Sequence, residues 1–78
     1  MEKRAQLRKF LTAILTRKGD MEPFNDDDSL LLSGRIDSLN VLEIVGFLEK
    51  EFTFDVSELM FDQDNFDSVA SILKLLEG

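Results

Sequence analysis

Leu7, Phe10, Leu11, Ile14 and Leu15 recur at i, i+3, i+4, i+7 and i+8, the spacing of one apolar helix face. Arg17 and Lys18 follow where cations complement a C-terminal helix dipole, and Gly19 can supply a left-handed cap. The pattern predicts helix I over about residues 2–18. Residues 19–36 then lack periodicity. They hold Pro23, the acids Asp26, Asp27 and Asp28, and Gly34. A connection longer than about 12–15 residues is uncommon in a small domain and is usually functional or disordered. This one carries Phe24 and Leu30-Leu31-Leu32, which predict anchors across the bundle and a short helical turn near Leu30.

Periodicity returns from Ser38 to Phe52, the predicted helix II. Val41, Ile44, Val45, Leu48 and Phe52 share one face, while Leu39, Leu42 and Gly46 lie on a second stripe roughly 130° away. Glu43, Glu49 and Lys50 border that stripe. A surface helix needs one apolar stripe, so the second either packs beneath the long loop or serves as a docking surface. Thr53 to Val56 connects to a short helix expected over Ser57 to Met60 or Phe61, capped by Ser57. A last helix opens with Asp67 or Ser68 as its cap and carries Val69, Ile72, Leu73 and Leu76 on its apolar face. No stretch reads persuasively as a strand. The predicted class is all-α, a small four-helix bundle of three long helices and one short one.

Seventy-eight residues make one domain, spanning 1–78, with a thin core: a chain of this size buries only roughly 60–65% of the surface that it exposes when unfolded. The net charge of −7 is unevenly spread. Residues 1–18 hold six basic groups and one acid; residues 19–78 hold three basic groups against fifteen acids, a balance of −12. Such acidity repels nucleic acid and anionic lipid and attracts basic protein patches. No apolar stretch approaches a bilayer span, so no membrane insertion is expected. The basic amphipathic start superficially resembles a transit peptide, but its apolar stripe is needed by the core; the expectation is a mature, cytoplasmic monomer.

The chain has no Cys and no His. Nothing in it pairs a nucleophile with a base, so the expectation is that it is not an enzyme. What remains is a serine. Asp-Ser pairs occur at Asp28-Ser29, Asp37-Ser38 and Asp67-Ser68, and both residue types are favoured helix caps. Only Ser38 follows a long glycine-bearing loop and opens a helix with a spare apolar stripe. A hydroxyl at a helix N-terminus suits a covalently attached phosphate, because the first-turn N–H groups lack intrahelical partners and the dipole favours negative charge.

Gly34-x-x-Asp37-Ser38-Leu39, followed by Leu42-Glu43-Ile44-Val45 and Leu48-Glu49-Lys50-Glu51-Phe52, resembles the phosphopantetheine attachment region of acyl carrier proteins. The likeness extends over nearly the whole chain. It implies an acyl-carrier-like bundle that receives 4′-phosphopantetheine from coenzyme A on Ser38 through a phosphopantetheinyl transferase. It then carries acyl intermediates as thioesters to synthase or transferase enzymes of a fatty acyl or polyketide pathway. Aminoacyl, D-alanyl or peptidyl cargo, loaded by an adenylating ligase, is the alternative. Asp37 is either a magnesium-placing carboxylate during transfer or a plain cap. Leu39, Leu42, Glu43, Gly46, Glu49, Lys50 and Arg35 are the candidate partner contacts, with the apolar pair anchoring and Glu43 steering a basic partner.

Carriers of primary fatty acid synthesis usually place glycine one residue closer to the aspartate. Here Arg35 and Ile36 intervene, and Arg35 is expected to set a positive charge beside the site. Those carriers also usually have a bulky apolar residue at the place of Gly46 and an acid at that of Lys50. Phe61-Asp62-x-Asp64-x-Phe66 is similar to the D-alanyl type, so the chain resembles specialised stand-alone carriers more closely. Phe47, Phe54, Val56, Leu59 and Met60 are either a shelter for a short acyl chain or plain core. Two rivals stand beside the carrier: an unmodified helical interaction module docking through Leu39 and Leu42, and a calcium- or magnesium-binding domain using Asp26 to Asp28. The latter lack the alternating ligand spacing of an EF-hand, and no metal site is expected.

Overall fold

Leu7, Leu11, Ile14 and Leu15 are fully buried along one side of α1 (Lys3–Arg17), with Phe10 half-buried beside them. The computed structural model describes residues 3–53 and 63–77. Gly19 closes α1 in the left-handed region, at φ 86°. Its N–H donates to the Thr16 carbonyl at 3.0 Å, and the Asp20 N–H reaches back to the Leu15 carbonyl at 2.8 Å. This paired closure satisfies carbonyls that the helix end would otherwise orphan.

The loop that follows is pinned rather than helical. Phe24, Leu30 and Ile36 are buried in the common core. Near Leu30, where a short helical turn is expected, a single hydrogen-bonded turn forms over 31–34: Gly34 N–H donates to the Leu31 carbonyl at 3.0 Å, with Gly34 at φ 86°. Of the three expected leucine anchors only Leu30 is fully buried. Leu31 is half-buried and Leu32 is 74% exposed, because a tight turn can aim only part of an apolar run inward.

The second helix, α2 (Ser38–Phe52), buries Val41, Ile44 and Leu48, with Val45 and Phe52 packed at the margin. Its end is closed by Thr53 at φ 53°, an unusual conformation for a β-branched residue, with the Thr53 N–H donating to the Leu48 carbonyl. Phe47 stacks on Phe10 of α1, with ring centroids 4.2 Å apart, and meets Phe52 edge-on. Phe47 is therefore engaged in helix–helix packing. The other proposed acyl-lining residues, and the short helix expected from Ser57, lie outside the described residues.

A 3-10 turn over Gln63–Phe66 precedes α3 (Val69–Glu77) and drives Phe66 into the core. Ser68 is the cap of α3: its Oγ accepts from the Ser71 N–H at 3.1 Å. Asp67 instead reaches across the fold. Its Oδ1 accepts from Ser29 Oγ at 2.8 Å and from the N–H groups of Leu31 and Leu32, each at 2.9 Å. The Leu30 N–H donates to the Asp67 carbonyl at 2.7 Å, and Ala70 N–H to that of Asp26 at 2.9 Å. The long loop is thus sewn to the start of α3. Among the described residues the architecture is three α-helices and one 3-10 turn, without strands.

Candidate functional site

Ser38 is the first residue of α2 and is exposed. The cap before it is reciprocal. Asp37 Oδ1 accepts from the Asn40 N–H at 3.0 Å, while Asn40 Oδ1 accepts from the Asp37 N–H at 3.0 Å. Two first-turn donors are satisfied in this way, and Ser38 is held between them by a box that uses asparagine where glutamate or glutamine is usual. The Asp37 carboxyl is held below the usual carboxylate range, chiefly by the Asn40 backbone hydrogen bond and secondarily by the Lys18 ammonium. Its bonds make Asp37 a cap.

The buried Asn40 is the hub of a wider network. Lys18, just beyond the end of α1, donates Nζ to Asn40 Oδ1 at 2.8 Å and lies 3.7 Å from Asp37 Oδ2. Asn40 Nδ2 donates to Glu43 Oε2 at 2.9 Å. Arg17 Nη2 contacts both Glu43 oxygens at 2.7 Å. The Glu43 carboxyl is consequently pulled below its ordinary range, by Arg17 first and Asn40 second. The end of α1 therefore clamps the beginning of α2, and Glu43, expected as an outward steering charge, is engaged within the chain. Sequence reasoning missed Lys18, Arg17 and Asn40 here. The Asp-x-x-Asn spacing was the available signal for the box.

Arg35 also departs from expectation. Instead of projecting beside the site, it folds inward and staples the loop. Nε and Nη2 contact the two oxygens of Asp20 at 2.8 and 3.1 Å, and Nη2 donates to the Glu22 carbonyl at 2.6 Å. The guanidinium holds the Asp20 carboxyl below its usual range. A second arginine, Arg8, also lies over the ring of Phe24, its Cζ 4.5 Å from the ring centroid. Arg8 also donates to Asp26 Oδ1 and to the Phe24 carbonyl, and Arg4 pairs with the same aspartate. Asp28 accepts from the Asn25 N–H at 2.7 Å. Asp26 and Asp28 of the acidic run are engaged in these structural bonds, and no group of three or more potential metal ligands forms among the described residues.

The three Asp-Ser pairs now separate on geometry. Ser29 is half-buried and Ser68 buried, each at the junction of the loop with α3, whereas Ser38 is exposed. Ser38 lies outward, beside Leu39 at 71% and Leu42 at 60% exposure. That second stripe is not covered by the loop. Gly46, Glu49 and Lys50 extend the exposed side of α2, and the outward side of Gly46 is open space within 4 Å. The arrangement can present a modified serine at a helix N-terminus next to an apolar surface. The nearby Lys18 offsets the Asp37 carboxylate, which leaves the position compatible with a phosphodiester.

A family model described as "Phosphopantetheine attachment site" matches residues 5–76. The chain belongs to this phosphopantetheine-binding carrier family, whose cofactor is covalently attached 4′-phosphopantetheine. Comparison with curated proteins and with solved structures gave no match. No helix of the described residues is long and apolar enough to cross a membrane.

Proposed function

We propose that this chain is a single carrier domain, monomeric and cytoplasmic, that holds its prosthetic arm on Ser38 and presents acyl intermediates to biosynthetic enzymes. The carrying observation is the exposure of Ser38 at the capped start of α2, beside the exposed Leu39 and Leu42, where Ser29 is half-buried and Ser68 buried. A phosphopantetheinyl transferase would supply the base, since the chain has neither His nor Cys. Ser38 Oγ forms the new bond to phosphorus as the pyrophosphate linkage of coenzyme A breaks. The nucleotide portion leaves, and the serine proton passes to the transferase. When bound, the arm supplies a terminal thiol for thioester linkage to cargo, chemistry that no side chain of this protein offers. The protein's own part is to hold the serine and display Leu39 and Leu42. It performs no chemistry on its cargo.

The departures at Gly46 and Lys50 favour a specialised pathway, and aminoacyl or D-alanyl cargo loaded by an adenylating ligase is the second reading. Intact mass after incubation of the apo protein with a promiscuous phosphopantetheinyl transferase, magnesium and coenzyme A tests the proposal. One arm is expected on wild type, on Ser29→Ala and on Ser68→Ala, and none on Ser38→Ala. A folded wild-type chain that stays unmodified would return the protein to the class of plain helical interaction modules.

A further inference from the structure

Acids bordering the apolar stripe of α2 would ordinarily be the groups that recruit basic enzymes. In this chain the acids of the first turns of α2 and its cap, and one acid of the loop, are matched from within. Glu43 meets Arg17 at both oxygens and Asn40 at one, Asp37 meets Lys18, and Asp20 meets Arg35. The first two cations come from the end of α1 and the third from the loop. Charge compensation therefore reaches Glu43 and Asp37 at the start of α2, while Leu39 and Leu42 keep 71% and 60% of their surface exposed.

We propose that Arg17 is a specificity-determining residue: it occupies the Glu43 carboxylate that a basic partner side chain would otherwise contact. The carrier thereby disfavours enzymes that dock through a cationic cluster and favours those presenting an apolar face to Leu39 and Leu42. The inference rests on α2 being the face that partners read. Its physical basis is competition. A partner cation approaching Glu43 must displace a guanidinium already seated on both oxygens, and the Asn40 amide fixes the carboxylate from the other side. Arg17 is itself 61% exposed, so the pair is an exchangeable surface pair and its effect is graded. Long-range attraction is reduced as well, because a compensated pair presents a dipole instead of a net charge to an incoming basic surface.

The test is a double-mutant cycle on the rate of arm transfer, using a promiscuous transferase with a basic docking surface, coenzyme A and magnesium. Wild type, Arg17→Gln, Glu43→Gln and the double variant are compared at low and high ionic strength. Arg17→Gln is expected to raise kcat/KM about two- to five-fold at low salt, through KM, and to steepen its decline with salt. Adding Glu43→Gln should remove that gain, and Glu43→Gln should cost less in the wild-type background than in Arg17→Gln. Equal effects of Glu43→Gln in both backgrounds, or no gain with Arg17→Gln, would overturn the proposal. Those outcomes differ from failure of the carrier reading itself, in which wild type accepts no arm at any salt. Melting curves of the four proteins separate a docking effect from loss of the α1–α2 clamp: a gain in rate that tracks a lowered melting temperature and survives Glu43→Gln also overturns it.

Discussion

Replacing Asp67 with alanine should loosen the long loop. Three donors converge on Asp67 Oδ1, from Ser29, Leu31 and Leu32, all within 2.9 Å. A hydrogen bond to a charged group contributes roughly 1.5–3 kcal/mol where its donor is left buried and unmatched. Leu32 is exposed and Ser29 and Leu31 are half-buried, so water can replace part of each bond. About 1 kcal/mol per bond is then the appropriate scale, which gives about 2–3 kcal/mol for Asp67→Ala. Small domains have total stabilities of only about 5 kcal/mol, and each kcal/mol moves their midpoint by about 4–8 °C. A fall in melting temperature of roughly 10–20 °C is expected by circular dichroism, with a matching fall in urea midpoint. Asp67→Asn keeps an acceptor oxygen at the same place and should recover more than half of the loss. Asp27→Ala, which removes an exposed acid from the same loop, should stay within about 0.5 kcal/mol of wild type. If Asp67→Ala melted with Asp27→Ala, the convergence of donors on that carboxylate would not be holding the loop, and the reasoning would fail.

Acid should weaken the fold through Asp20, Asp26, Asp37 and Glu43, whose folded values all lie below the ordinary 3.8 or 4.5. A depressed carboxylate stabilises fully above its unfolded value and loses that contribution as pH falls through its folded one. The melting temperature should therefore be level from neutrality to about pH 5 and drop below about pH 4, and a pH series of thermal melts measures it. Thr53→Gly should raise stability by about 0.5–1 kcal/mol, because glycine accepts the positive φ that costs a β-branched residue more; a lowered urea midpoint would contradict this. Leu11→Ala, at a fully buried position, should cost about 2–5 kcal/mol and lower the melting temperature at least as far as Asp67→Ala, visible as earlier loss of helical ellipticity on heating.

Periodic segments were legible because burial acts on them repeatedly. The span of α2 matches its predicted bounds, and Gly19 closes α1 as its place after Arg17 and Lys18 suggested. Phe24 was readable as an anchor because it is a lone large apolar residue in a polar stretch. Ile36 and Phe66 are equally buried, yet no pattern flags an isolated apolar residue beside a turn. The run Leu30-Leu31-Leu32 misled for the opposite reason, since equal hydrophobicity says nothing about which residue a turn points inward. The polar contacts were the least legible. Arg35 finds Asp20 fifteen residues away, Arg17 finds Glu43 across 26, and Asp67 finds Ser29 across 38. Such pairings follow from the packed arrangement of helices, which local spacing does not encode. At the candidate site, the exposed serine and the flanking leucines were readable, whereas the cationic clamp behind them was not.

That clamp has a consequence for chimeras. A hybrid that exchanges the first helix for one from another carrier would preserve the apolar interior if it matched Leu7, Leu11, Ile14 and Leu15. It would still lose the tie to the second helix unless the donor segment also brought equivalents of Arg17 and Lys18. The opening helix is thus matched to this particular second helix at its tail, and the two are best inherited or transplanted together.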